Sequence, residues 1–167
     1  MCCRGSSVSL CSESGWEIVD NVRIRAEPAK AAPLPSMSSG WQDISNLGIK
    51  VRDLDEELAF LEAAGATQVQ KLTQQGREFG MAYLGTQRLF LFPKVIYEDK
   101  LAEPLHYGLT HIVYEVTPLE PLLDRLKGEG IEPFFGPEEG KTPFDRRRIV
   151  FYRTPSGFIF EAYELLP

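Results

Sequence analysis

The sequence predicts an α+β domain built from two βαβββ modules. Three observations carry this: a segment recurs at a fixed offset, each copy has its own helix signals, and each is followed by three short strand patterns. Ile44-Ser45-Asn46-Leu47-Gly48-Ile49-Lys50-Val51 aligns with Leu109-Thr110-His111-Ile112-Val113-Tyr114-Glu115-Val116, so Asn46 falls on His111 at an offset of 65. The same offset pairs Leu54 with Leu119, Leu58 with Leu123, Leu61 with Leu126 and Gly65 with Gly130. It grows to 72 where Gly85 meets Gly157, which places seven inserted residues in a loop over 136–146.

The opening strand of each module alternates. Leu47, Ile49 and Val51 form a helix-facing set, with Asn46, Gly48 and Lys50 on the other face; Ile112, Tyr114 and Val116 oppose His111, Val113 and Glu115 in the same way. Each helix then has a start signal. Asp53 caps the first, and Thr117-Pro118-Leu119-Glu120 reads as a hydroxyl cap, proline at the first helical position and Glu three places after the cap. Leu54, Leu58 and Leu61, like Leu119, Leu123 and Leu126, give an apolar stripe that Gly65 and Gly130 terminate. The remaining strands fall at 67–72, 78–84 and 88–92 around Gly85-Thr86, and at 132–135, 147–153 and 158–163 around Pro155-Ser156-Gly157. One unit of about 50 residues would bury too little apolar surface alone, whereas two can share a core. Their open faces carry polar groups and a glycine, as a ligand cleft requires.

The chain has 167 residues, 43% apolar, 25% charged, with a net charge of −6. That excludes collagen-like and disordered classes, and no apolar run approaches the roughly 20 residues of a membrane span. Residues 1–40 hold four basic and four acidic side chains, leaving 14 against 20 in the body, which argues against nucleic acid as partner. Cys2, Cys3 and Cys11 all precede the body, so its core depends on no disulfide; with no apolar run for a secretory signal, a cytoplasmic location is expected. Residues 1–40, rich in Ser, Ala and Pro, read as a flexible extension with a short strand within 17–25, and Met37 as a plausible natural start. The domain is expected over 41–167, with module 1 at about 42–93 and module 2 at about 107–164.

These features resemble the vicinal oxygen chelate superfamily of glyoxalases, bleomycin-resistance proteins and extradiol dioxygenases. The resemblance covers about 42–164 and rests on Leu47-Gly48-Ile49-Lys50-Val51-Arg52-Asp53-Leu54, on the segment around His111, and on Thr154-Pro155-Ser156-Gly157-Phe158-Ile159-Phe160-Glu161. It implies a cupped mixed sheet with helices outside, a central small-molecule site and a homodimer. The positions of the superfamily's metal ligands correspond here to Asn46, Phe90, His111 and Glu161. His111 and Glu161 suit a divalent metal such as iron, zinc, nickel or manganese; Asn46 offers a neutral amide oxygen and Phe90 no ligand atom. By strand parity Phe92, Val113, Ile159 and Tyr163 join Asn46 and Phe90 as expected pocket lining.

Two functions follow. One is a small-molecule binding protein of glyoxalase/bleomycin-resistance type with an incomplete metal site. The other is a metal-dependent lyase, isomerase or extradiol-type dioxygenase using His111 and Glu161. His106 is expected to be solvated, Arg146-Arg147-Arg148 to be a solvated loop entering a strand or, as the alternative, to attract an anionic ligand, and the stretch 93–105 to be a lid or dimer contact. No phosphate-cradling glycine loop and no Ser or Cys nucleophile motif occurs in the body.

Overall fold

A computed structural model describes residues 16–19, 22–25 and 40–167. Strands β1 (Trp16–Val19) and β2 (Val22–Arg25) pair antiparallel with Val19 opposite Val22. A single strand was expected over 17–25; the chain makes two, and Asp20-Asn21 between them are residue types that favour reversal. The rest of the expected extension, including the start near Met37, lies outside the described residues.

Residues 40–167 carry β3 (Trp41–Lys50), α1 (Leu54–Ala63), β4 (Thr67–Gln74), β5 (Arg77–Leu84) and β6 (Gln87–Phe92). A connection with one 3-10 turn (Glu98–Lys100) leads to β7 (Gly108–Val116), α2 (Glu120–Gly128), β8 (Phe135–Lys141), β9 (Arg146–Arg153) and β10 (Ile159–Leu165). The eight strands form one mixed sheet in the order β4-β5-β6-β3-β7-β10-β9-β8. Each module contributes four neighbours, with its first strand parallel to its last (β3 to β6, β7 to β10), and the modules meet along antiparallel β3 and β7. The fold is therefore the expected α+β arrangement of two βαβββ units. The sheet curls: β4 and β8 are its outermost strands, yet Gln74 at the end of β4 donates a side-chain hydrogen bond to the Lys141 carbonyl at the end of β8.

The helices cover the convex face. Leu54, Leu58 and Leu61 of α1 are buried against Val51, Ala82, Leu89 and Leu91, each leucine worth about 2 kcal/mol. Gly80 on β5 makes that approach possible, since a Cβ there would lie 2.9 Å from the tips of Leu54 and Leu58. In module 2, Leu119 and Leu122 bury against Val116, Val150, Tyr152 and Ala162, while Leu123 and Leu126 are only partly buried.

Two local expectations are corrected. Asp53 caps α1, accepting from the Asp55 and Glu56 amides at 3.0 Å, but Thr117 does not cap α2. Helix α2 begins later, at Glu120, and the Glu164 carboxylate on β10 accepts the Leu119 amide at 2.8 Å instead. The strand expected at 132–135 runs from Phe135 to Lys141, all but its first residue within the stretch 136–146 read as an inserted loop. After Phe135 the segment Gly-Pro-Glu-Glu-Gly-Lys lacks strand-forming side chains, but at the sheet edge only β9 must be matched and polar residues face water. The stretch 93–105 borders the cavity through Lys94, Val95 and Ile96 and is anchored: Val95 and Tyr97 are buried, and Lys50 from β3 reaches both Glu98 and the Leu105 carbonyl.

Candidate functional site

The concave face encloses a cavity of about 290 Å³ between the modules. Strand register fixes its polar end. On β3, Gly48 pairs with Phe90 on one side and His111 on the other; one step along, Asn46 pairs with Val113, which in turn pairs with Glu161 on β10. Asn46, Phe90, Phe92, His111 and Glu161 thus all line one cavity. The two positions that would mirror one another through the duplication, Asn46 and His111, are 3% exposed each.

His111 is held tightly. Its ring occupies the space where a side chain at position 48 would stand: a Cβ on Gly48 would be 2.1 to 2.5 Å from three ring atoms. Thr110 Oγ1 lies 2.9 Å from both the Gly48 carbonyl and His111 Nδ1. A carbonyl only accepts, so the threonine hydrogen goes to Gly48. Tyr97 OH sits 3.1 Å from the same Nδ1. Two hydroxyls thus hold the Nδ1 edge of the ring, and Nε2 is on the Glu161 side. Burial depresses the imidazole to about 4, which leaves it neutral at physiological pH. Glu161 Oε2 lies 3.6 Å from Nε2, too far for a hydrogen bond, and a neutral ring makes no ion pair with it.

Glu161 is pushed in the opposite sense, to about 7, by burial, with Arg147 pulling its pKa down and Asp145 pushing it up. Near neutrality the carboxyl is thus poised between its two forms. Asn46 Oδ1 is buried and accepts no hydrogen bond among the described residues. Arg147 is also buried in the wall. It gives Nε to Asp145 Oδ1 at 2.7 Å and Nη2 to Oδ2, and lies 4.2 Å over the Tyr163 ring. Burial opposes its charge, but the hydrogen bond and charge of Asp145 more than offset this and raise its pKa. Thr142 Oγ1 in turn donates to Asp145 at 2.9 Å. The remaining wall is aromatic: Phe79 stacks on Phe92, and Phe90 tilts against Phe144, each at 6.0 Å between centroids.

Three expected lining residues lie elsewhere. Val113 is fully buried beneath the polar end, between Asn46 and Glu161, because strand pairing there leaves no room above it. Ile159 packs with Val95, Tyr97, Phe135 and Phe151, filled over by the connecting segment. Tyr163 is covered by Arg147 and hydrogen-bonds to Ser45 and Glu115. His106 is exposed and outside the cavity wall, as expected. The arginine run was misread: β9 alternation turns Arg147 inward, while exposed Arg146 pairs with Glu139 and half-buried Arg148 with Glu120. Sequence reasoning also missed Tyr97, Thr110 and Phe144. Arg147 alone was legible, since it shares parity with Ile149 and Phe151.

Testing the residues for a divalent metal, His111 Nε2 and Glu161 fit, the Asn46 amide oxygen fits weakly, and Phe90 does not fit. Among the described residues no three His, Cys, Asp or Glu side chains cluster as a metal site.

This architecture is that of the vicinal oxygen chelate fold. Solved structures similar to the chain include methylmalonyl-CoA epimerase from Mycobacterium tuberculosis, at 20% identity and a TM-score of 0.57 over 78% of this chain and 92% of that one. A methylmalonyl-CoA epimerase in complex with methylmalonyl-CoA and NH4+ matches at 20% identity and 0.56, covering 74% and 94%. A glyoxalase/bleomycin resistance protein/dioxygenase superfamily member from Vibrio splendidus 12B01 matches at 18% identity and 0.52, covering 72% and 97%. No family model matches the sequence. No curated protein matches it either. Among the described residues no helix is long and apolar enough to cross a membrane.

Proposed function

We propose that the chain is a small-molecule binding protein of glyoxalase/bleomycin-resistance type with an incomplete metal site. The observation that carries this reading is a cavity of about 290 Å³ walled by Phe79, Phe90, Phe92 and Phe144, with Asn46, His111 and Glu161 at its polar end. The aromatic wall around few polar groups is the usual composition of an organic-ligand pocket. A fragment library screened by ligand-observed NMR tests this. Saturable hits lost in Ile149→Trp, which fills the cavity, are expected; no saturable hit, or hits indifferent to that substitution, would defeat the reading. The expected homodimer is part of the same proposal, and sedimentation equilibrium at the dimer mass is its check.

The second reading is a metal-dependent lyase, isomerase or dioxygenase. It is favoured by His111 Nε2 and Glu161 Oε2, which stand 3.6 Å apart at the polar end of the cavity. His111, Glu161 and Asn46 would hold the ion, which when bound supplies a Lewis acid for vicinal oxygens of a substrate. Elemental analysis of protein purified without chelator separates the two: stoichiometric metal that disappears in His111→Ala favours the second.

A further inference from the structure

Exposed residues from two hairpin tips line the cavity, Gln75 between β4 and β5 and Phe144 between β8 and β9. Each tip is rigid in itself. Gln74 pairs with Arg77 across the first, and Gln75 and Gly76 between them have φ of 50° and 74°, the left-handed pair of a tight hairpin turn. Across the second, Lys141 pairs with Arg146, and the Thr142 amide donates to the Asp145 carbonyl at 2.7 Å. Thr142 Oγ1 accepts the Phe144 and Asp145 amides at 3.1 and 3.0 Å, and Asp145 is tied to buried Arg147 in the wall. Among the described residues one side-chain hydrogen bond joins the tips, from Gln74 Nε2 to the Lys141 carbonyl, and it is exposed. Two rigid tips held by one such bond part at small cost, because water replaces the bond. The equivalent turn of module 1 is shorter, and the longer connection in module 2 carries Phe144 to the rim. That ring is 47% exposed, yet its centroid lies 6.0 Å from that of Phe90, which is buried on the cavity wall. A large apolar surface fixed in water by its own loop gains when an apolar body covers it. We infer that Phe144 is the door of the cavity and sets the size of the apolar ligand held there, with the tips parting at the Gln74–Lys141 bond to admit it.

The inference rests on the reading that the cavity binds a small organic molecule, and one set of measurements on the full chain separates the two. Phenol, indole and 2-naphthol, all uncharged at pH 7 and of increasing size, are titrated by calorimetry and mixed by stopped flow. Phe144→Ala should weaken indole about ten-fold, mostly through faster dissociation, and shift the preference toward 2-naphthol about five-fold. Phe144→Tyr, which keeps the ring, should restore the parent's preference. Gln74→Ala should speed association and dissociation together, each about three-fold, and leave the affinity within two-fold. Thermal melts establish that each variant folds, and if one fails to fold the others decide. A size preference unchanged in Phe144→Ala overturns the door and leaves the cavity reading standing. Rates unchanged in Gln74→Ala overturn the parting of the tips. Binding of none of the three probes, or binding indifferent to Ile149→Trp, defeats the cavity reading and the door with it.

Discussion

In the first module the cavity-facing positions on the parallel strand pair hold Asn46 on β3 and Phe90 on β6; in the second, the equivalent positions hold His111 on β7 and Glu161 on β10. The scaffolds are alike and the chemistry is not. The second module brings both titratable groups, whereas the first brings an amide, an aromatic wall and space. The difference extends to the residues opposite. His111 pairs across the sheet with Gly48, and its ring fills the volume a Cβ there would take; Asn46 pairs with Val113, the duplication partner of Gly48. A large ring faces a glycine and a small amide faces a valine. Each module has adjusted the other's floor to the side chain it carries.

The largest effect should come from removing that adjustment. Gly48→Ala places a methyl group inside the His111 ring, with backbone on both sides, so the ring must leave its seat and its bond to Thr110. A loss of about 4 kcal/mol is expected, read by urea denaturation, against about 1–2 kcal/mol for Val113→Ile on the facing floor. A Gly48→Ala protein as stable as the parent would mean that the ring does not occupy this space.

The second test separates the two groups of module 2 by their opposite shifts. His111 falls from 6.5 to about 4, so between those values the unfolded chain binds more protons; this contribution is full above pH 6.5 and is lost as pH falls through the window. Glu161 rises from 4.5 to about 7, so the folded chain binds more protons, and stability is lost as pH rises from 4.5 through 7. The two slopes oppose one another and nearly cancel between pH 4.5 and 6.5. Glu161→Gln removes one of them. Relative to the parent, the variant should gain stability as pH rises, by on the order of 3 kcal/mol at pH 8. A difference curve flat from pH 4 to 8 would show that burial does not govern Glu161.

Making the modules alike is the third test. Asn46→His supplies the missing imidazole, but Val113 occupies the floor that Gly48 vacates on the other side. The double variant Asn46→His/Val113→Gly should therefore bind zinc about 100-fold more tightly than the parent, roughly 2.7 kcal/mol, and more tightly than Asn46→His alone. Competition with a chromogenic chelator measures both. Equal affinity of the single and double variants would sink the argument that the floors are matched to their side chains.

The duplication made the scaffold legible, because leucines at helical spacing and glycines at turns report local geometry that tertiary contacts only reinforce. The cavity was legible in part. Asn46, Phe90, Phe92, His111 and Glu161 share strand parity with one face, and parity survives folding. What failed were features set by partners distant in sequence. Tyr163 has the right parity but is covered by Arg147, and Ile159 by a connecting segment whose path no periodicity describes. Strand β8 failed for a related reason: its polar sequence is a strand only because β9 offers it an edge.

The helix starts show the same contrast at the smallest scale. Both modules carry a capping signal, but only Asp53 accepts amides, at 3.0 Å from Asp55 and Glu56. In module 2 the local signal is bypassed, and Glu164, 45 positions along the chain, accepts the Leu119 amide. Asp53→Ala should cost about 1 kcal/mol, within the usual range for a lost cap. Glu164→Gln keeps an acceptor but loses the charge, and should cost about half as much, falling with salt as a charge-assisted bond near a helix N-terminus must. Thr117→Val should cost next to nothing. Thermal melts of the three variants at low and high salt rank them, and a Thr117→Val loss equal to that of Asp53→Ala would restore the local cap and remove the long-range one.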